Sequence, residues 1–201
     1  YFVISFYYYA HMFIRKNKYF FIIESIKDID LKNIKKRYKF SIIYRNKNNL
    51  ENISDLLNFR RICKLKSIRF YVANNTKLAI LLRSDGIYIS AYNKSLKLLS
   101  LKKSNFNLIG SAHNLHEIAI KKKQGCKVIL FSKLFLVNYD ETASYLGVVK
   151  FNNYLKINKN LVPLGGISID NLKNLNNINC EGFALLSEIK KKPVNIINRL
   201  F

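Results

Sequence analysis

Residues 161–168 read Leu-Val-Pro-Leu-Gly-Gly-Ile-Ser, an apolar run ended by the adjacent glycines Gly165 and Gly166. A buried parallel strand ends this way. Glycines at a strand end let the backbone approach a ligand, because no Cβ stands between them. The pattern returns at Gly182–Leu186, with Ser187 at its end. In a (β/α)8 barrel the loops after the last two strands commonly form a phosphate site. Other apolar runs also end in polar groups: Arg45, Asn46 and Lys47; Asn74 and Asn75; Ser90, Tyr92 and Asn93; Ser111 and His113; Ser132 and Lys133. Cations, amides and hydroxyls dominate this set, and carboxylates are almost absent. It suits two anionic groups, one on Gly165, Gly166 and Ser187, the other near Arg45, Lys47 and Ser111. Arginine offers phosphate oxygens a planar fork and lysine a point charge.

The elements that must carry these residues follow from the spacing of apolar runs. Tyr19–Ile23, Phe40–Tyr44, Ile68–Ala73, Gly86–Ser90, Phe106–Gly110, Lys127–Phe131, Leu161–Leu164 and Gly182–Leu186 read as eight short strands. Helical or linking segments lie between them: Asp28–Lys36, Leu50–Lys64, Lys77–Leu82, His113–Lys123, Glu141–Leu155 and Asp170–Leu175, with a last helix from Val194. Strands alternating with helices predict a parallel sheet, and eight units predict its closure into a compact α/β TIM barrel. An open flavodoxin-like sheet is the alternative. Residues 19–201 are assigned to the barrel and residues 1–18 to an N-terminal extension or helix.

Composition bounds the rest. A chain of 201 residues with 49% hydrophobic residues suits one domain with a sizeable core. The formal charge of +23 comes almost entirely from lysine spread over the whole length. This dispersion argues for a general bias and not a built nucleic-acid patch, so no nucleic-acid partner is expected. A positive field also attracts phosphorylated small molecules. Cys63, Cys126 and Cys180 lack metal-ligand spacing and lie in or beside apolar runs, which predicts reduced, mostly buried thiols and a cytoplasmic location. Tyr1–Ile14 is apolar but too short to span a bilayer, and its cations follow the apolar part, unlike a secretory signal. No membrane partner is expected. Met12 is the sole methionine, so residues 1–11 read as an extension upstream of the natural start. An extra helix closing the barrel floor is the alternative.

Several motifs together resemble the thiamine-phosphate synthase and TenI family. They are Ile109-Gly110-Ser111-Ala112-His113 with Glu117, Gly125–Phe131 running on to Phe135, Leu164-Gly165-Gly166-Ile167, and Gly182 through Ser187-Glu188-Ile189. Arg45-Asn46-Lys47 resembles the family's Arg-x-Lys after strand two, and Asp85-Gly86-Ile87-Tyr88-Ile89 its Asp-Gly-Val-His-Leu at strand four. The resemblance spans roughly residues 19–201. It implies a transferase that joins hydroxymethylpyrimidine diphosphate to thiazole phosphate with release of pyrophosphate, in thiamine biosynthesis. Arg45, Lys47, Asn74 and Ser111 then match the diphosphate side, and Gly165, Gly166 and Ser187 the thiazole-phosphate side.

The departures from the family's pattern concentrate on one half of the site. Its two Mg2+-binding aspartates fall on Asn74 and Asn93, and neutral amides hold Mg2+ less well than carboxylates. Its strand-two Gln falls on Ile43. Its Lys-bearing loop after strand six appears as Leu136-Val137-Asn138-Tyr139, and its Gly-x-Ser-x-His motif is one residue short. The tautomerase branch's His falls on Lys133. Mg2+ is therefore a doubtful cofactor, and a binding protein for phosphorylated thiazole or thiamine ligands without turnover is the alternative function. His113 is read as a helix-capping or packing residue and not a base. Asp140 and Glu141 are read as a solvated loop.

Overall fold

The structure is a computed structural model that describes residues 18–31, 40–46, 51–98, 106–137, 142 and 144–186. Residues 1–17 of the N-terminal extension, Lys47, Asn138 through Glu141, Ser187 and the last helix from Val194 lie outside the described residues, and Lys18, assigned to the extension, opens the first strand.

Eight parallel strands close into a barrel in sequence order. They are β1 (Lys18–Ile23), β2 (Phe40–Tyr44), β3 (Arg69–Ala73), β4 (Gly86–Ile89), β5 (Asn107–Ala112), β6 (Val128–Ser132), β7 (Leu161–Leu164) and β8 (Gly182–Leu185). Pairing of β1 with β8, Phe20 against Ala184 and Phe21 against Leu185, closes the ring and excludes the open sheet. The described α-helices are α1 (Ile53–Leu65), α2 (Thr76–Leu81), α3 (Leu115–Lys123) and α4 (Gly147–Ile157). Asparagine starts three of them. Asn52, Asn75 and Asn114 each accept a backbone N–H of the first turn, at 3.1, 3.0 and 2.9 Å. These bonds satisfy donors that a helix start leaves open.

Two cores follow from the alternation of strand side chains. Phe20, Ile22, Ile43, Tyr71, Tyr88, Ile109, Leu130, Val162 and Ala184 fill the lumen. Phe21, Ile23, Ile42, Tyr44, Phe70, Val72, Phe131 and Phe183 belong to the larger core, together with helix residues such as Phe59, Ile118 and Phe151. Burial on both faces explains why the strands read as continuous apolar runs. At the N-terminal end of the barrel, Arg60 of α1 bonds the Arg83 carbonyl and lies 3.2 Å from Asp85. Asp85 also accepts the Phe70 N–H at 2.7 Å, so the Asp-Gly of strand four stabilises the β3–β4 connection.

Two segments differ from the sequence reading. No helix begins at Asp28, and residues 32–36 of the segment read as helical lie outside the described residues. Asp28 ends a 3-10 turn, Ile26–Asp28, and its carboxylate accepts the N–H groups of Glu24 at 2.8 Å and Ser25 at 3.0 Å. After β7 the helical segment read at Asp170–Leu175 is a longer 3-10 helix, Ile169–Asn177. Ile169, Leu172, Leu175 and Ile178 recur every third residue, and all pack on the core. Three residues per turn places them on one face. Strand five also runs past Gly110 to Ala112, so Ser111 belongs to the strand wall.

The cysteines are free thiols; Cys63 and Cys126 are buried and Cys180 is half-buried. Burial pushes the thiols of Cys63 and Cys126 from the ordinary 9.0 to about 12. An unfolded chain ionises both from pH 9.0 upward while the folded chain holds them neutral. Their contribution to stability is therefore present below that value and is lost as pH rises toward about 12. Native titration with a disulfide reagent at pH 8 is expected to modify at most Cys180, with Cys63 and Cys126 reacting only after denaturant is added.

Candidate functional site

The C-terminal ends of the strands surround an open cavity of about 850 Å3. Arg45, Asn74, Ser111, Gly165 and Gly166 all line it, so these sequence-predicted positions converge. Asn93 stands behind the wall and touches the site through Asn74.

Gly165 and Gly166 both have positive φ, 92° and 69°. Their carbonyls are tied down: Phe135 N–H donates to Gly165 O at 3.1 Å, and Asn171 Nδ2 to Gly166 O at 2.7 Å. Their N–H groups have no acceptor among the described residues. The loop thus presents unpaired amide donors at the cavity wall, the chemistry an anion needs. The fold demands the glycines as well. A Cβ on Gly166 would meet the carbonyl oxygens of Phe135 and Leu136 at 2.4 Å, and one on Gly165 would meet Lys133 Cα at 3.3 Å.

Arg45 follows β2 and lies 3.5 Å from Glu24 Oε1. Its Nε is buried and has no hydrogen-bond partner. Tyr88 connects it to Ser111. Burial holds the Tyr88 phenol above its ordinary value, and the side chains of Ser111 and Arg45 pull it back. Tyr88 lines the cavity and was not singled out from the sequence. The available signal was a polar ring on an inward position of an otherwise apolar strand, where the family motif has His.

The amides opposite form a closed network. Asn74, at φ 55°, donates through Nδ2 to Ser90 Oγ and to Tyr92 OH, the latter at 2.9 Å. Its Oδ1 accepts the Ser90 N–H at 3.1 Å and Asn93 Nδ2 at 3.3 Å. The backbone N–H of Ser90 identifies that atom as the oxygen. Asn74 and Asn93 are therefore bonded to each other, and the one oxygen Asn74 could offer a cation is already engaged.

Magnesium takes oxygen ligands in near-octahedral geometry and relies on carboxylates. Among the described residues no cluster of three or more His, Cys, Asp or Glu side chains is placed to hold a metal. Among the described residues the carboxylates on the cavity wall are Glu24, beside Arg45, and Glu117, bonded to His113. These residues do not fit a divalent cation.

His113 does not cap α3, since Asn114 does. It stands on the cavity wall, where Glu117 accepts its N–H at 2.7 Å and lies 3.0 Å from its Nδ1. Burial raises the Glu117 carboxyl, but the bonds from His113 outweigh that and hold it below the ordinary value.

Lys121 was missed within a lysine run. Position 121 follows Ile118 by one turn on the buried face of α3. Its ammonium donates to the carbonyls of Ser90 at 2.7 Å and Asn93 at 2.6 Å, and to Gln124 Oε1 at 2.9 Å. Gln124 Nε2 in turn donates to Asn93 O and Ser95 O, both at 2.9 Å. Helix α3 thus grips the turn that carries Asn93. Burial lowers the Lys121 pKa, opposed by Cys126 and Glu117.

The described residues define a (β/α)8 barrel with a glycine loop at its C-terminal mouth. The chain belongs to the thiamine monophosphate synthase (TMP-TENI) family, whose model matches residues 25–189. The thiamine-phosphate synthase of Clostridioides difficile is 22% identical over 151 residues, 73% of this chain and 71% of that protein. That of Thermoplasma acidophilum is 26% identical over 157 residues, 75% and 72% of the two chains. Among solved structures, thiamine phosphate pyrophosphorylase from Pyrococcus furiosus superposes with a TM-score of 0.70 at 16% identity, covering 94% of this chain and 97% of that one. KGPDC from Streptococcus mutans superposes at 0.60 with 10% identity, covering 92% and 97%. These two likenesses establish the fold. No helix among the described residues is long and apolar enough to cross a membrane.

Two outcomes follow from the amide network. Wild-type protein is expected to show no saturable Mn2+ binding by electron paramagnetic resonance, whereas the double variant Asn74→Asp, Asn93→Asp gains a site. Lys121→Met removes the three bonds to Ser90 O, Asn93 O and Gln124 Oε1 and is expected to destabilise the chain by about 3 kcal/mol in denaturant unfolding.

Proposed function

We propose that this chain is a thiamine-phosphate synthase-like transferase that joins hydroxymethylpyrimidine diphosphate to thiazole phosphate and releases pyrophosphate. The observation that carries this reading is the Gly165–Gly166 loop beside the cavity, with its carbonyls engaged and no acceptor for its N–H groups among the described residues. A phosphate on that loop puts the thiazole ring toward the centre of the mouth. Arg45, on the other side of the barrel, then faces the diphosphate. In the reaction the pyrimidine's C–O bond breaks and its electron pair leaves with pyrophosphate. The thiazole nitrogen forms the new C–N bond with the cation left behind. Arg45 opposes the charge that grows on the leaving oxygens, and the cavity walls align the two rings. Lys47 and Ser187, assigned from the sequence to the two anion sides, belong to this reading. A cytoplasmic location is part of it as well.

The Asn74–Asn93 bond favours a second reading, a family member that binds phosphorylated thiazole or thiamine ligands without turnover. A synthase assay with both precursors, read as thiamine phosphate by mass spectrometry, separates the two. Product formation is expected, with Arg45→Ala lowering kcat/KM roughly a hundredfold. Absence of product alongside calorimetric binding of thiazole phosphate supports the second reading and rejects the first.

A further inference from the structure

We propose that the cavity holds its phosphorylated ligand without a divalent metal, and that Lys133 supplies the positive charge on the Gly165–Gly166 side. This rests on the ligand class proposed above. At this position the tautomerase branch of the family carries His, and a lysine here is this chain's own.

Three observations converge on it. First, Lys133 follows β6 directly and lines the cavity together with Gly165 and Gly166. Second, its side chain runs across the face of Gly165. A Cβ there would meet Lys133 Cα, Cβ and Cγ at 3.3, 3.4 and 3.6 Å. The absence of a side chain at position 165 leaves space for the lysine stem on the cavity wall beside the glycine loop. Third, the backbone holds this segment to the loop. Leu134 N–H donates to Leu164 O at 2.9 Å, Phe135 N–H to Gly165 O at 3.1 Å, and Leu146 N–H to Lys133 O at 2.9 Å. Lysine and glycine loop therefore move as one unit.

The opposite wall explains why a protein cation is required. Asn74 and Asn93 spend their amides on each other and on Ser90. Lys121 and Gln124 hold that arrangement from behind. A phosphate or diphosphate entering the mouth brings two or more negative charges that the amide pair does not neutralise. Lys133 on one side and Arg45 on the other supply fixed positive charge in its place. An ammonium bonded to phosphate oxygen is a charge-assisted contact, which contributes about 1.5–3 kcal/mol, or roughly ten- to a hundredfold in affinity.

Isothermal titration of the full chain with inorganic pyrophosphate and with thiazole phosphate tests the proposal, each in excess EDTA and in excess Mg2+. Wild-type affinity for thiazole phosphate is expected to be the same in both media. Lys133→Gln is expected to weaken it about tenfold or more, with circular dichroism and thermal midpoint unchanged, and Lys133→Arg to restore most of it. Loss of wild-type binding in EDTA overturns the proposal, as does unchanged affinity in Lys133→Gln. Failure of both ligands to bind in either medium also overturns it. Metal-independent binding of pyrophosphate through Lys133, without binding of thiazole phosphate, supports the cation assignment and rejects the ligand class instead.

Discussion

Closing eight parallel strands into a ring leaves a lumen wide enough for inward side chains and little else. Everything else in this molecule answers to that constraint. The inward positions from Phe20 to Ala184 fill the middle with aromatic and branched groups. Polar inward residues are tolerated only where solvent or a ligand reaches them. Glu24, Arg45, Ser90, Ser111 and Ser132 therefore gather at the C-terminal mouth, each beyond or at the last turn of pleat of its strand. The site is the open end of the packing problem that built the barrel.

The two halves of the mouth are held by different physics. The glycine half is fixed by the backbone: positive φ, close approach to the Phe135–Leu136 carbonyls, and bonds to the loop's own carbonyls. The amide half is fixed by side chains. Asn74, Ser90, Tyr92 and Asn93 satisfy one another, and the buried Lys121 ammonium bonds only neutral oxygens. A buried cation without a carboxylate partner is costly unless each proton finds an acceptor. Here each does, and the turn bearing Asn93 is anchored as a consequence.

Much of the fold was legible because periodicity and burial agree. Strands buried on both faces must be nearly all apolar, so Phe40–Tyr44 and Leu161–Leu164 were readable to the residue. The type of the helix after β7 was not. Its every-third-residue spacing of Ile169, Leu172, Leu175 and Ile178 signals a 3-10 helix only when the register against the core is known. The start of the helix-like segment read from Asp28 was misplaced for a related reason: Asp28 closes a turn through its side chain, and a capping carboxylate looks like a helix start from either direction. In the site, residue types at strand ends showed which groups could meet. They did not show which groups were already engaged.

The sequence by itself determined the eight-fold alternation, the glycine loop at the end of β7 and the replacement of two carboxylates by amides. These depend on local pattern and residue type, which a linear chain records in full. Only the tertiary structure decided that Asn74 and Asn93 bond each other, that Lys121 leaves its lysine run to grip the turn behind them, and that Lys133 lies across Gly165. Those contacts join residues from different strands and helices, and their energies depend on distances of a few ångströms that exist only once the barrel has closed.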